Sequence, residues 1–154
     1  MSDEITINIS IPADNDGFVL LQCSHCVEFF KLTAHDCEDD SILYIYCPAC
    51  GLISENYLTE EVFELANIIT KNIANDVLYN GFKQLERKNS SRNPVKFKAG
   101  KKPKHEYENP IRSRIDELQI KQYACCKRSA KIKPLLNMSA SHCPFCGVIN
   151  FANE

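Results

Sequence analysis

Cys23-Ser24-His25-Cys26 and Cys47-Pro48-Ala49-Cys50-Gly51 each hold a pair of cysteines separated by two residues. Two Cys-x-x-Cys tips about twenty residues apart have the ligand spacing of a closed four-thiolate zinc site. The flanking residues fit. Pro48 presets the turn, and Gly51 lets the backbone fold back so that amide N–H groups can face the sulfurs. An ion gripped there would hold together two hairpins too small to bury a sufficient core by themselves.

The far end of the chain repeats the second tip as Cys143-Pro144-Phe145-Cys146-Gly147. Its partner is irregular, because Cys125 and Cys126 are adjacent. Laying Cys23-Ser24-His25-Cys26 on Cys126-Lys127-Arg128-Ser129 puts Ser129 where a second thiol should stand. Cys126, Cys143 and Cys146 are three expected ligands, and Cys125 or His142 is the fourth. The competing readings are a degenerate ribbon without metal and a vicinal redox dithiol at Cys125-Cys126. His35 and Cys37 read as a surface histidine and a loop cysteine, since four better-spaced thiols already complete the first set.

These paired knuckles resemble the zinc-ribbon superfamily. The resemblance implies hairpins carrying a knuckle at each end of the chain, two zinc ions, and a setting in transcription or nucleic-acid-processing machinery. The expected fold class is therefore α+β: small antiparallel zinc ribbons at the N- and C-terminus, joined by an amphipathic helix and a basic linker. The segments are residues 1–57, an acidic ribbon; 58–88, the helix; 89–110, the basic linker; and 111–154, a second ribbon-like domain.

Strand and helix signals fill this outline. Ile5 to Ile11 alternates apolar and polar residues as a half-buried strand does, ending at Pro12. Phe18–Gln22 leads into the first knuckle, Val27–Leu32 leaves it, and Thr33–Ser41 is a polar loop. Ile42–Tyr46 is a further strand delivering Cys47. From Thr59, an N-cap candidate, Val62, Leu65, Ala66, Ile69, Ile73 and Val77 form one apolar stripe. The stripe fails at Asn80-Gly81, the expected helix end, with Leu78, Phe82 and Leu85 on another face. Ile111–Gln122 reads as a short helix followed by a strand.

The formal charge of −2 hides an asymmetry. Residues 1–60 carry eleven Asp/Glu and one Lys, whereas residues 61–154 carry nine Asp/Glu and seventeen Lys/Arg. Either the two halves attract each other, or they serve different partners. The expected function is a non-enzymatic zinc-binding module associated with nucleic acid, its contacts being Lys96, Lys98, Lys101, Lys102 and Lys104 in the linker, with Lys127, Arg128, Lys131 and Lys133 on the second ribbon. The alternative is a protein–protein adaptor or regulatory subunit, in which the acidic ribbon and the helix would engage a protein or a second copy of the chain.

The nine cysteines come in clusters, no signal-peptide pattern opens the chain, and no apolar run is long enough for a membrane span. A reducing, cytoplasmic setting is expected, where such clusters bind metal. An enzyme is the least supported class, because a closed four-thiolate zinc leaves no position for a reacting water.

Overall fold

The computed structural model describes residues 4–89, 94–112 and 115–152. It is α+β, with small antiparallel sheets from the two end regions and a long helix between them in sequence. It divides into two compact units: residues 1–9 with 61–110, and residues 10–60 with 111–154.

The second of these units is built on β-rich runs. Strands β1 (Phe18–Gln22) and β2 (Phe29–Thr33) form one hairpin; β3 (Gln119–Tyr123) and β4 (Arg128–Ile132) form another. β2 and β4 then pair antiparallel, giving one four-stranded sheet in the order β1-β2-β4-β3. The N- and C-terminal segments, read from the sequence as separate ribbons, thus share a sheet. Side chains alternate across it. Phe30, Leu32, Ala130 and Ile132 face the core with Leu21, Tyr57, Tyr123 and Cys143, and Phe30 meets Tyr57 edge-on at 5.5 Å.

The two hairpins are copies of each other in register. The pairs Val19↔Leu32, Leu20↔Lys31 and Gln22↔Phe29 recur as Gln119↔Ile132, Ile120↔Lys131 and Gln122↔Ser129. At the tips, Val27 and Lys127 occupy the same left-handed conformation (φ 61° and 55°), each closing a turn by donating to Cys23 O or Tyr123 O. After β2 comes α1 (Ala34–Glu38), capped by the Thr33 hydroxyl; after β4, at the same place, comes α3 (Pro134–Met138). The pairing His142↔Ile149, between β5 (Ala140–His142) and β6 (Ile149–Phe151), matches the single bridge Tyr46↔Ile53.

The copies meet like halves of a symmetric dimer. Tyr46 N–H donates to Pro144 O at 2.8 Å, and His142 N–H donates to Pro48 O at 2.9 Å. Each partner ring lies over the opposite knuckle's glycine, with Tyr46 against Gly147 and His142 against Gly51.

Several local expectations change. Ile7, Ile9 and Ile11 are half-buried and their neighbours exposed, but residues 4–11 join no sheet. Alternation sets a side-chain pattern and cannot supply a partner strand; the chain beside Gln22 of β1 is Tyr57, whose carbonyl accepts the Gln22 N–H. Residues 33–41 hold α1 instead of only loop. Of Ile42–Tyr46, only Tyr46 makes a bridge. The segment 115–118 is a turn leading into β3, not a helix, and Leu118 is buried there.

In the other unit, α2 (Glu60–Lys88) runs through Gly81. A Cβ at Gly81 would meet nothing, and a glycine inside a helix costs only about 1 kcal/mol, too little to stop one flanked by good helix formers. Residues 94–110, expected as a linker, are held on α2. The Asn72 amide donates to Glu106 O (3.0 Å) and accepts from Glu106 N–H (2.9 Å); Asp76 pairs with Lys102 and His105; Phe82 and Phe97 rings are 5.9 Å apart. Val77, Leu78 and Leu85 remain largely exposed.

Candidate metal centres

The knuckles assemble two groups of four thiols, Cys23, Cys26, Cys47, Cys50 and Cys125, Cys126, Cys143, Cys146, each with its sulfurs within 4.8 Å of one another. In the first, Cys23 and Cys50 sulfurs are 3.8 Å apart, and Cys26 and Cys47 sulfurs 3.6 Å. In the second, Cys125 and Cys146 sulfurs are 3.5 Å apart. Zinc–sulfur bonds of about 2.3 Å in a tetrahedron would set sulfur–sulfur edges near 3.8 Å, so both groups fit such an ion.

Electrostatics agree. Burial pushes the Cys47 and Cys143 thiols far above their usual range. Burial acts the same way at Cys23, but the N–H groups of Cys26 and His25 and the Ser54 hydroxyl outweigh it and bring that thiol down to about 6. Burial and the neighbouring Cys146 thiol push Cys126 up to about 11. Four converging sulfurs need either protons or a cation, and a metal ion takes the protons' place.

In the second centre the four-thiol group includes both Cys125 and Cys126; His142 lies against Gly51 instead. The structure also corrects the alignment of the knuckles. Cys126 matches Cys26, and the position of Cys23 is filled by Tyr123, whose buried hydroxyl lies 3.1 Å from Ser141. The fourth thiol is that of Cys125, at the position of His25. Both vicinal cysteines join the group because a knuckle-tip thiol replaces a strand-end one. Only the strand register reveals this.

The basic residues of the second hairpin are drawn into the fold. Lys131 bonds Asp14 (2.8 Å) and Asp16 (2.6 Å), Arg128 bonds Asp36 (2.8 Å) and Asp39 (3.0 Å), and Lys133 bonds Glu28 (2.5 Å). No acid stands beside these cations in sequence, yet the acidic half supplies a carboxylate to each. Lys127 lies at the exposed tip. Lys96, Lys98, Lys101, Lys102 and Lys104 are exposed, with Lys102 bound to Asp76. Sequence reasoning overlooked the Asp14–Lys31–Lys131 cluster. Its signal was a lysine set in each of two apolar runs, Phe30-Lys31-Leu32 and Ala130-Lys131-Ile132.

No family model, curated protein or solved structure matches this chain. The two four-cysteine groups are consistent with zinc ribbons. Among the described residues, no helix is long and apolar enough to cross a membrane.

Proposed function

We propose that this chain is a non-enzymatic module that binds two zinc ions and works as a protein-docking platform. The observation carrying the metal reading is that both four-thiol groups have tetrahedral spacing and are filled by protein ligands alone. A zinc so enclosed has no open position to activate water, so its role is to fix the knuckles. Full-length protein purified under reducing conditions should hold two zinc ions per chain by elemental analysis. A metal-free protein that keeps its folded signal in strong chelator would remove this reading.

The adaptor role is favoured over nucleic-acid contact by the pairing of Arg128, Lys131 and Lys133 with carboxylates. A cation already matched inside the fold releases no counterion on meeting a phosphate. Meanwhile α2 leaves Leu78 and Leu85 largely exposed two turns apart on one face, with Phe82 between them half covered by Phe97, the pattern of a helix that docks against an apolar surface. The alternative reading keeps nucleic acid as the partner of Lys96, Lys98, Lys101 and Lys104, which are exposed along the extended segment. Two measurements separate them. Substituting Leu78 and Leu85 by Ser should abolish capture of a protein partner, or dissociation of a homodimer should appear in native mass. Nucleic-acid binding that weakens steeply between 50 and 200 mM salt and disappears when those four lysines become Gln would favour the alternative.

A further inference from the structure

The two centres are copies whose supporting shells differ. In the first, Cys23 ends a paired strand, is buried, and accepts from main-chain N–H groups, His25 N among them at 3.4 Å. Ser54, the residue after Ile53 of the Tyr46↔Ile53 bridge, lies beside it with its hydroxyl 3.8 Å from the Cys23 sulfur. Ser54 is itself fixed by Ser24 and by the Tyr57 hydroxyl.

In the second centre the equivalent ligand has moved out to Cys125, which is exposed, and Cys146 is exposed as well, whereas the first centre exposes Cys26 alone. The residue after Ile149 of the His142↔Ile149 pair is Asn150, which therefore stands where Ser54 does. Asn150 is 7% exposed, and its amide donates to the Cys125 sulfur at 3.6 Å and to Val148 O at 2.9 Å. A longer side chain has replaced a shorter one at the position that touches the displaced sulfur. Asn150 puts a side-chain amide on the Cys125 sulfur, where Cys23 accepts from backbone N–H groups with the Ser54 hydroxyl beside them.

We propose that the second centre is the exchangeable metal site of the chain, and that Asn150 is the positioning residue that holds its displaced ligand Cys125. The first centre, with a buried strand-end ligand and main-chain donors, retains its ion. Two exposed ligands admit a competing chelator more readily than the one, Cys26, of the first centre, and loss of a partner that orients a ligand typically weakens metal binding about 10–100-fold.

This inference rests on the zinc reading above, and one experiment separates their failures. The zinc-loaded full chain is mixed with excess EDTA, and released zinc and residual bound zinc are followed with time. Zinc should leave in two steps of one ion each, the rapid step absent in Cys125→Ser. Asn150→Ala should speed the rapid step about 10–100-fold and leave the slow one in place, whereas Ser54→Ala should leave the rapid step unchanged. Release of both ions in a single step, a rapid step that persists in Cys125→Ser, or an Asn150→Ala protein that loses its slow ion instead would overturn the inference while leaving the zinc reading intact. A chain that takes up no zinc overturns both.

Discussion

Lys31 stands directly opposite Lys131 in the central strand pair, and both ammonium groups bond the same carboxylate oxygen, Asp14 Oδ2, at 3.0 and 2.8 Å. Like charges at facing positions of a sheet repel, and here they meet where the two repeats join. Asp14 is aimed at them by its other oxygen, which accepts the N–H groups of Asp16 and Phe18. The loop before β1 therefore supplies the anion that lets β2 and β4 pair.

Asp14→Asn should be among the most damaging single changes outside the cysteines. Lys31 is 1% exposed, so the substitution takes a charged carboxylate away from a buried ammonium. Breaking a buried pair in this way costs about 3–5 kcal/mol. Urea unfolding of the two proteins in the same buffer and at the same zinc concentration measures it. A loss below about 1 kcal/mol, the size of an exposed ion pair, would show that Asp14 does not hold the two lysines together.

The same carboxylate gives a pH signature. Burial raises the Asp14 pKa, but bonds from Lys131, the Phe18 N–H, Lys31 and the Asp16 N–H outweigh it and hold the carboxyl well below its usual range. A depressed carboxylate contributes its full stability above the unfolded-state value of about 3.9 and loses it as pH falls toward the folded value. The stability gap between the natural protein and Asp14→Asn should therefore stay constant from neutral pH to about 4 and narrow below. Acid protonates the thiol groups of both proteins alike, so that contribution cancels in the difference. A gap that widens in acid contradicts the assignment.

How far the sequence carries depends on whether a feature is local. The knuckles were legible because Cys-x-x-Cys spacing and the following glycine are constraints within a few residues. Hairpin strands such as Phe18–Gln22 were legible for the same reason. The β2–β4 pairing was not, because it joins residues about a hundred positions apart and depends on an anion, Asp14, found in neither strand. The displaced ligand was missed similarly: matching cysteine to cysteine hid the fact that Tyr123, not a thiol, occupies the position of Cys23. Charge asymmetry was visible, but which carboxylate meets which cation needed the fold.

Glycines at the knuckles should be unequal to glycines elsewhere. Gly17 and Gly51 both lie in the left-handed region, at φ 83° and 72°, where alanine is strained by about 1–2 kcal/mol. A Cβ at Gly17 meets nothing, whereas at Gly51 it would come within 2.7 Å of the His142 ring. Gly51→Ala should cost about 1–3 kcal/mol more than Gly17→Ala, the usual range for forcing a methyl into filled space. Thermal unfolding of both variants checks this, and Gly51→Ala combined with His142→Ala should recover part of the excess. Equal costs for the two glycine variants would show that the His142 ring does not cover the first knuckle.

Asn72 controls whether the basic segment stays on α2. It is 3% exposed inside a polar helix, and its side chain makes paired bonds to the Glu106 backbone with a further bond to Glu108 at 3.1 Å. Such a clamp copies the way one strand holds another, and a backbone amide that loses it must find water or go unpaired. The ion pairs beside it, Lys102–Asp76 and Lys71–Glu106, are exposed and contribute little by themselves. Asn72→Ala should therefore release residues 94–110 while α2 keeps its helical signal. Brief trypsin treatment reads this out, because Lys96, Lys98, Lys101 and Lys104 lie along that segment. Cleavage there should accelerate several-fold in Asn72→Ala and much less in Lys102→Gln. Equal acceleration in both variants would place the hold in the surface charges and not in the buried amide.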